Sequence, residues 1–373
     1  MRARGVPESG LAGGVVRRRQ EMKKESLAFL EELLAVPSPS GFEQPGQKVV
    51  RNYLAGVADD VKTDVHGNVI AVLNASAQTR VMLAGHVDEI GLMITQITDK
   101  GYIYFAAIGG VDAALVPGQR VKVHARKGDV LGVIGKKPIH HMDEEDRKRV
   151  PKIRDLWIDI GAKDKKEAEK HVAIGDAVTF NCGFERLLNE CVVARGFDDR
   201  IGAFVVADTI RALAGKKLPV AVYAVSTVQE EIGLRGARTS AFGIDPHAGI
   251  AVDVGFATDF PDADQRTYGE VHLGKGPILS RGANVNPVLG RLIETAGEKN
   301  KIPFQVIGEP RATGTDANAM QVNRSGAAAA LVSIPNRYMH TPVEVVSLDD
   351  VTNAVKLIAA TIMSMKPGMD FTP

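Results

Sequence analysis

The hydrophobic positions follow two rhythms. In "ESLAFLEELL", Glu25–Leu34, apolar residues fall three and four apart, the spacing of a helix with one buried stripe, and the pattern stops ahead of Pro37 and Pro39. A second helix is expected over residues 44–57. "NVIAVL" and "RVMLAGHVD" are nearly unbroken apolar runs, as in strands covered on both faces. After Gly91 the rhythm shortens. From about Thr95 to Thr179 come brief strand-like runs punctuated by glycine: "GYIYFAAIGG", "QRVKVHA", "DVLGVIG", "DLWIDIGA" and "DAVTFN". Between them the charged stretch 139–154, with His140 and His141, is expected to be an exposed, solvated loop. This pattern predicts a small β-rich module inserted into a larger domain. The longer rhythm returns at "CVVARGFDDRIGAFVVADTIRAL", a short strand running into a helix from about Arg200. "PVAVYAVSTVQEE", "AGIAVDVG" and "GAAAALVSIP" are further buried strands, and a last helix is expected over residues 348–363. The boundaries are thus 21–94 and 180–373 for an α/β domain and 95–179 for the insert. Residues 1–20, rich in Gly and Arg, are expected to form a disordered leader.

Composition narrows the class. With 373 residues, 45% apolar and 24% charged, the chain reads as a globular protein. A net charge of +1 leaves no bulk electrostatic case for nucleic acid or an anionic membrane as partner. No apolar run reaches the roughly 18 residues of a membrane span. Cys182 and Cys191 are too few for a disulfide framework, so a reducing, cytoplasmic setting and two buried, inert thiols are expected.

Candidate chemistry gathers at the strand ends. His86 and Asp88, Asp198 and Asp199, Glu230 and Glu231, and Asp253 each follow an apolar run, and His340 follows the last one in a loop. In open α/β sheets, ligands bind beyond the carboxyl ends of the strands. Any single strand-end acid is by default a cap or turn former. Isolated histidines such as His66, His124, His171 and His272 are by default surface or locally hydrogen-bonded groups. The conjunction of two histidines with several carboxylates shifts the balance towards a metal site, and such mixed donors suit Zn²⁺, Co²⁺ or Mn²⁺. Two such ions about 3.5–4 Å apart are typical of metal-dependent hydrolases. No GxxxxGK[ST] cradle or GxSxG elbow is present to suggest other chemistry.

"LAGHVDEIGLM", "ARGFDDRIGA", "VQEEIGLRGA", "AVDVGFATD", "TGTDANAM" and "SIPNRYMHTPVE" together resemble the dinuclear metallo-aminopeptidases that include glutamyl aminopeptidase, deblocking aminopeptidases and the tetrahedral (TET) peptidases. The resemblance runs from about Glu25 to Met363. It implies a mainly parallel central sheet with helices on both faces, interrupted by a smaller β-barrel-like, PDZ-like domain that mediates dimerisation. It also implies two divalent ions per subunit, Zn²⁺ or Co²⁺. His86 and Asp253 would hold one, Glu231 and His340 the other, and Asp198 would bridge them. Asp88 would orient the ring of His86, since positions i and i+2 of a strand share a face. Glu230 would be the general base that activates a metal-bridging water. A cis Asp198–Asp199 peptide is implied as well, while Asp199 and Asp316 are not counted as ligands. Pocket walls are expected within Gly255–Arg281 and Gly308–Met320, with no particular substrate-binding residue assigned. Short peptides are the implied substrates, and a homo-oligomer is expected, with a dimer as its unit and a tetrahedral dodecamer as the family's larger shell. An aminoacylase or carboxypeptidase of the wider metallohydrolase group is the alternative. An endoglucanase ranks lower, because histidine ligands are superfluous to two-carboxylate glycoside hydrolysis.

For Glu230 and Glu231 to reach one site, the chain must already be turning at Glu230, because adjacent residues of a strand face opposite sides.

Overall fold

A computed structural model of the chain describes residues 22–373, so the expected leader lies outside the described residues. Its centre is an eight-stranded sheet in the order Asp60–Thr63, Val69–Leu73, Ala221–Thr227, Arg80–His86, Ala248–Phe256, Ala328–Asn336, Ile278–Gly282 and Gln305–Glu309. The four strands from Ala221–Thr227 to Ala328–Asn336 run parallel, and the antiparallel pairings lie towards the edges. Strand residues alternate between two cores, as side chains of period two must. Val69, Ala71, Val81 and Leu83 pack under the helices Lys24–Ala35, Gln44–Leu54, Phe197–Leu213, Pro287–Asn300 and Leu348–Ser364. Ile70, Val72, Met82 and Ala84 face Arg235–Ile244 and Asp316–Gln321 on the other side. The near-continuous apolar runs thus reflect burial on both faces, and the expected mainly parallel α/β sheet is what forms.

The insert is a closed antiparallel barrel of six strands, Gly91–Ile97, Ile103–Ile108, Trp157–Asp159, Gly128–Gly135, Arg120–Ala125 and Ala177–Phe180. It has its own core, including Leu92, Ile103, Val121, Val123 and Ile158. Its first strand escaped the sequence reading, because Gly91–Ile97 follows hard on the Arg80–His86 strand and its inward and outward positions do not alternate cleanly. Residues 139–154 are exposed as expected but are not simply a loop. They hold the short helix Glu144–Lys148, capped by the Asp143 carboxylate, between single turns at Ile139–His141 and Ile153–Asp155. The second helix ends at Leu54 rather than near Val57. A small sheet of Glu185–Arg186, Cys191–Ala194 and Glu344–Ser347 sets Glu344 opposite Ala194, just before the Phe197–Leu213 helix.

Cys182 and Cys191 are free thiols as expected, but half-buried rather than fully enclosed, and burial still pushes both thiols up. Among the described residues no helix is long and apolar enough to cross a membrane.

Candidate metal centre

Parallel pairing puts the carboxyl ends of the central strands along one edge, with Thr227 level with His86. His86 closes its strand with its side chain buried. Its Nδ1 lies 3.0 Å from the Asp88 carbonyl oxygen, and its Nε2 faces Asp198 Oδ1 at 3.3 Å, Glu230 Oε2 at 3.7 Å and Asp253 Oδ1 at 4.0 Å. His340, held at φ 62°, repeats the arrangement. Its Nδ1 lies 2.9 Å from the Gly110 carbonyl, and its Nε2 faces Asp198 Oδ2 at 3.2 Å and Glu231 Oε2 at 3.7 Å. A carbonyl only accepts, so each Nδ1 carries a proton, and each Nε2 is the nitrogen left to face the acids, where it could offer a lone pair to a cation on losing its proton.

The donors fall into two groups, His86–Asp198–Asp253 and Asp198–Glu231–His340, with ligand atoms in each within 4.8 Å of one another. Asp198 belongs to both, one oxygen towards each histidine. It stands at the start of the Phe197–Leu213 helix, where Asp198 and Asp199 have non-helical torsions and the peptide between them is cis, as expected. Asp199 is in neither group. Its carboxylate accepts from the amides of His86, at 3.1 Å, and Gly202, at 3.0 Å, tying the strand end to the helix start. Asp316 is also outside both groups and accepts from Thr227 Oγ1 at 2.6 Å.

The two adjacent glutamates converge because the strand is over before they begin. Ala221–Thr227 ends, Gln229 takes φ 55°, and the Glu230 carbonyl accepts from the amides of Gly233 and Leu234 in a tight turn. Asp88 holds this turn. Its carboxylate accepts from Glu230 N at 3.0 Å, Glu231 N at 3.2 Å and Ser40 Oγ at 2.7 Å. Its contact with the His86 ring is closer through the carbonyl, at 3.0 Å, than through the carboxylate, at 3.4 Å, since the strand and its alternation stop at His86.

Electrostatics test whether cations fit. Burial, opposed by His86 and reinforced by Asp253, pushes Glu230 up to about 10. Burial and the neighbouring Asp198 charge push Glu231 and Asp253 each up to about 8. Burial alone would raise Asp198 too, but its hydrogen bonds to His340 and His86 hold it below the usual carboxylate range. Burial disfavours a charged His86, yet Glu230, Asp198 and Asp88 drive that ring well up, and the Asp198 contact drives His340 to about 9. Among the described residues no lysine or arginine lines the cavity to neutralise these acids. Glu231 Oε1 is buried without a partner, and each Nε2 is turned towards carboxylate oxygens from at least two residues. Two imidazoles and three shared or flanking carboxylates that lack positive charge fit divalent cations.

One residue the sequence reading passed over completes the frame. Glu344 is buried and accepts from Asp198 N at 2.9 Å and His340 N at 3.1 Å, so it positions a residue of both groups. Its signal was only the terminal acid of "SIPNRYMHTPVE", with no spacing rule to mark it. Among the other histidines, His124 is buried between Asp129 and Thr179, locally bonded as expected, and His140 and His141 are exposed and in neither group. The cavity over the centre measures about 510 Å³. Phe256, Ser280, Glu309, Thr313 and Thr315 on its wall come from the two stretches expected to supply it, and among the described residues Glu309 is its one charged side chain outside the acid–imidazole cluster.

A mixed sheet with an inserted barrel, and two imidazole–carboxylate groups joined through one aspartate, define a metallohydrolase of the co-catalytic type. Comparison with known proteins narrows this. The sequence pattern of the M42 glutamyl aminopeptidase family matches residues 67–357. A lysyl aminopeptidase of Pyrococcus furiosus is 41% identical over 92% of this chain and 99% of its own length. A TET aminopeptidase from a marine sediment thaumarchaeon superposes with a TM-score of 0.88 at 34% identity, covering 92% of this chain and 98% of that one. The TET1 peptidase of Pyrococcus horikoshii, which can assemble into a tetrahedron or a large octahedral shell, gives 0.82 at 34% identity over 91% and 100%. The chain belongs to the M42 glutamyl aminopeptidase family, as a metal-dependent aminopeptidase that hydrolyses peptide bonds.

Proposed function

We propose that the chain removes N-terminal residues from short peptides, with Glu230 as its general base. The observation that carries this is the division of labour around Asp198. Its two oxygens serve two donor groups, while Glu230 stands beside the first group and belongs to neither. His86 and Asp253 would hold one divalent cation and Glu231 and His340 the other, with Asp198 shared. Zn²⁺ or Co²⁺ suits the donors. Bound there, the cations would polarise the scissile carbonyl and lower the pKa of a coordinated water.

The residues of the chain supply the rest. Asp88 grips the amides of Glu230 and Glu231, so the base and its neighbour move as one unit. The Glu230 carboxylate accepts a proton from the attacking water as the water oxygen bonds to the scissile carbonyl carbon. It returns that proton to the departing amine nitrogen as the C–N bond breaks. Burial favours the neutral form of Glu230 in the metal-free chain, and positive charge bound beside it would offset this and leave the carboxylate free to take the proton.

Residues 21–94 and 180–373 are read as the catalytic domain, and 95–179 as a module that pairs subunits. By extension from the relatives, the dimer is the unit of a tetrahedral dodecamer working in the cytoplasm on peptides small enough to enter.

Aminoacyl-p-nitroanilides and N-acyl amino acids, assayed after chelation and after restoring Zn²⁺ or Co²⁺, test the reading. The nitroanilides should be cleaved only with metal present. Preference for N-acyl substrates would replace it with an aminoacylase. Glu230→Gln should retain both metals and lose about 10²–10⁴-fold in kcat, whereas Glu231→Gln should lower metal content. The reverse pattern in metal analysis would exchange the two roles.

A further inference from the structure

The second donor group is not built by the catalytic domain alone. The chain leaves the barrel strand Ile103–Ile108 through Gly109 and Gly110, and this turn lies directly on the two outer residues of that group. The Gly110 carbonyl takes the Nδ1 proton of His340 at 2.9 Å. A Cβ on Gly110 would fall 2.7 Å from that same nitrogen and 3.0 Å from Cε1 of the ring. A Cβ on Gly109 would meet Glu231 Oε2 at 3.1 Å and its Cβ at 3.3 Å. His86, in contrast, takes its backbone acceptor from Asp88, within the central domain.

The geometry points to Gly110 as a positioning residue contributed by the barrel: its carbonyl sets the tautomer and ring orientation of His340, and the second cation subsite, Glu231–His340, therefore depends on where the barrel sits. The physical basis is the rule that a metal-binding imidazole is oriented by the acceptor on its other nitrogen, whose loss weakens binding about 10–100-fold. Gly110 is needed because its Cβ would meet only the His340 ring, whereas a Cβ on Gly109 would press first on Ile90 Cγ2 at 2.9 Å and then on Glu231. By reciprocity, filling that subsite must also hold the turn in place. The inference rests on the two-cation reading above.

The test is Co²⁺ titration of the metal-free full-length protein, followed by visible absorption and by metal content after gel filtration. The wild type should take two equivalents. Gly110→Ala should keep one with unchanged affinity and bind the other about 10–100-fold more weakly, and in a His340→Ala background it should have no further effect. Gly118→Ala is the control, since it strains another barrel turn at φ 82° with nothing within 4 Å of the added atom. It should bind as the wild type does. In the wild type, hydrogen exchange of residues 109–115 should slow when the second equivalent binds. Unchanged binding in Gly110→Ala overturns the inference and leaves the two-cation reading standing. A wild type that takes fewer than two equivalents removes both. If Gly110→Ala does not fold, exchange in residues 109–115 that ignores the second equivalent is the overturning result.

Discussion

Glu344 belongs to neither donor group, yet two of the donors hang from it. One carboxylate oxygen receives the amide of Asp198 and the other that of His340, in a fully buried setting. A glutamine offers one acceptor oxygen where the carboxylate offers two, so one amide would face an NH₂ group instead. Glu344→Gln should therefore weaken metal binding about tenfold or more, with the protein still folded. Competition against a chelator of known affinity measures this. Unaltered affinity would mean that the two backbone amides find other partners. Asp88 shows the same principle from the other direction, because it was assigned to a ring and spends its carboxylate mainly on the Glu230–Glu231 turn. Such residues are hard to read from sequence, because their contacts are to backbone amides that any residue type supplies.

Between elements, the decisive contact is a close approach of strand to helix. A Cβ on Gly85 would lie 2.4 Å from the backbone carbon of Gly202 and 2.6 Å from the Ala203 amide. Only this closeness lets the Asp198–Asp199 end of the helix reach the end of the Arg80–His86 strand. Gly85→Ala should destabilise the fold by about 1–3 kcal/mol or more, as overpacking against rigid backbone does. Gly243, exposed near the end of the Arg235–Ile244 helix with open space around it, gives the contrast. Gly243→Ala should stabilise by about 0.5–1 kcal/mol. Denaturant titration compares the two, and equal effects would remove the argument from close approach. The central strands were legible because each is buried on both faces and so reads as an apolar run. The Arg235–Ile244 helix was not, since "RGARTSAFGI" buries small residues such as Gly236, Ala237 and Ala241 where a periodic pattern needs large ones.

For the whole molecule, the centre links stability to pH and metal. In the metal-free chain, burial and mutual charge hold Glu230 at about 10 and Glu231 and Asp253 at about 8, against roughly 4 in an unfolded chain. His340, at about 9, and His86 are also raised above their unfolded value near 6.5. All five groups make the folded state bind more protons than the unfolded state, so stability falls as pH rises through this window. Asp198 is shifted the other way, but its effect is confined to pH below about 4. The melting temperature of metal-free protein should thus decline from about pH 5 to about pH 8. Metal-loaded protein should decline less, because cation charge takes the place of the bound protons. Calorimetry on both forms decides this, and a metal-free protein whose melting temperature stays level or rises over that range would contradict it.

By itself, the sequence determined the local and the covalent: which runs are doubly buried strands, where they end, and which ionisable residues follow each end. Those properties depend on composition within a few residues, so patterning and motif order reveal them. Tertiary structure decided everything that depends on convergence. It put His86 level with Thr227 through parallel register, divided the oxygens of Asp198 between two groups, and turned the chain at Gln229 so that neighbouring glutamates could meet one site. It also brought Gly110 from the barrel, and Glu344 from a separate small sheet, against His340. These partners are distant in sequence and act through backbone groups common to every residue, and so only the folded chain discloses them.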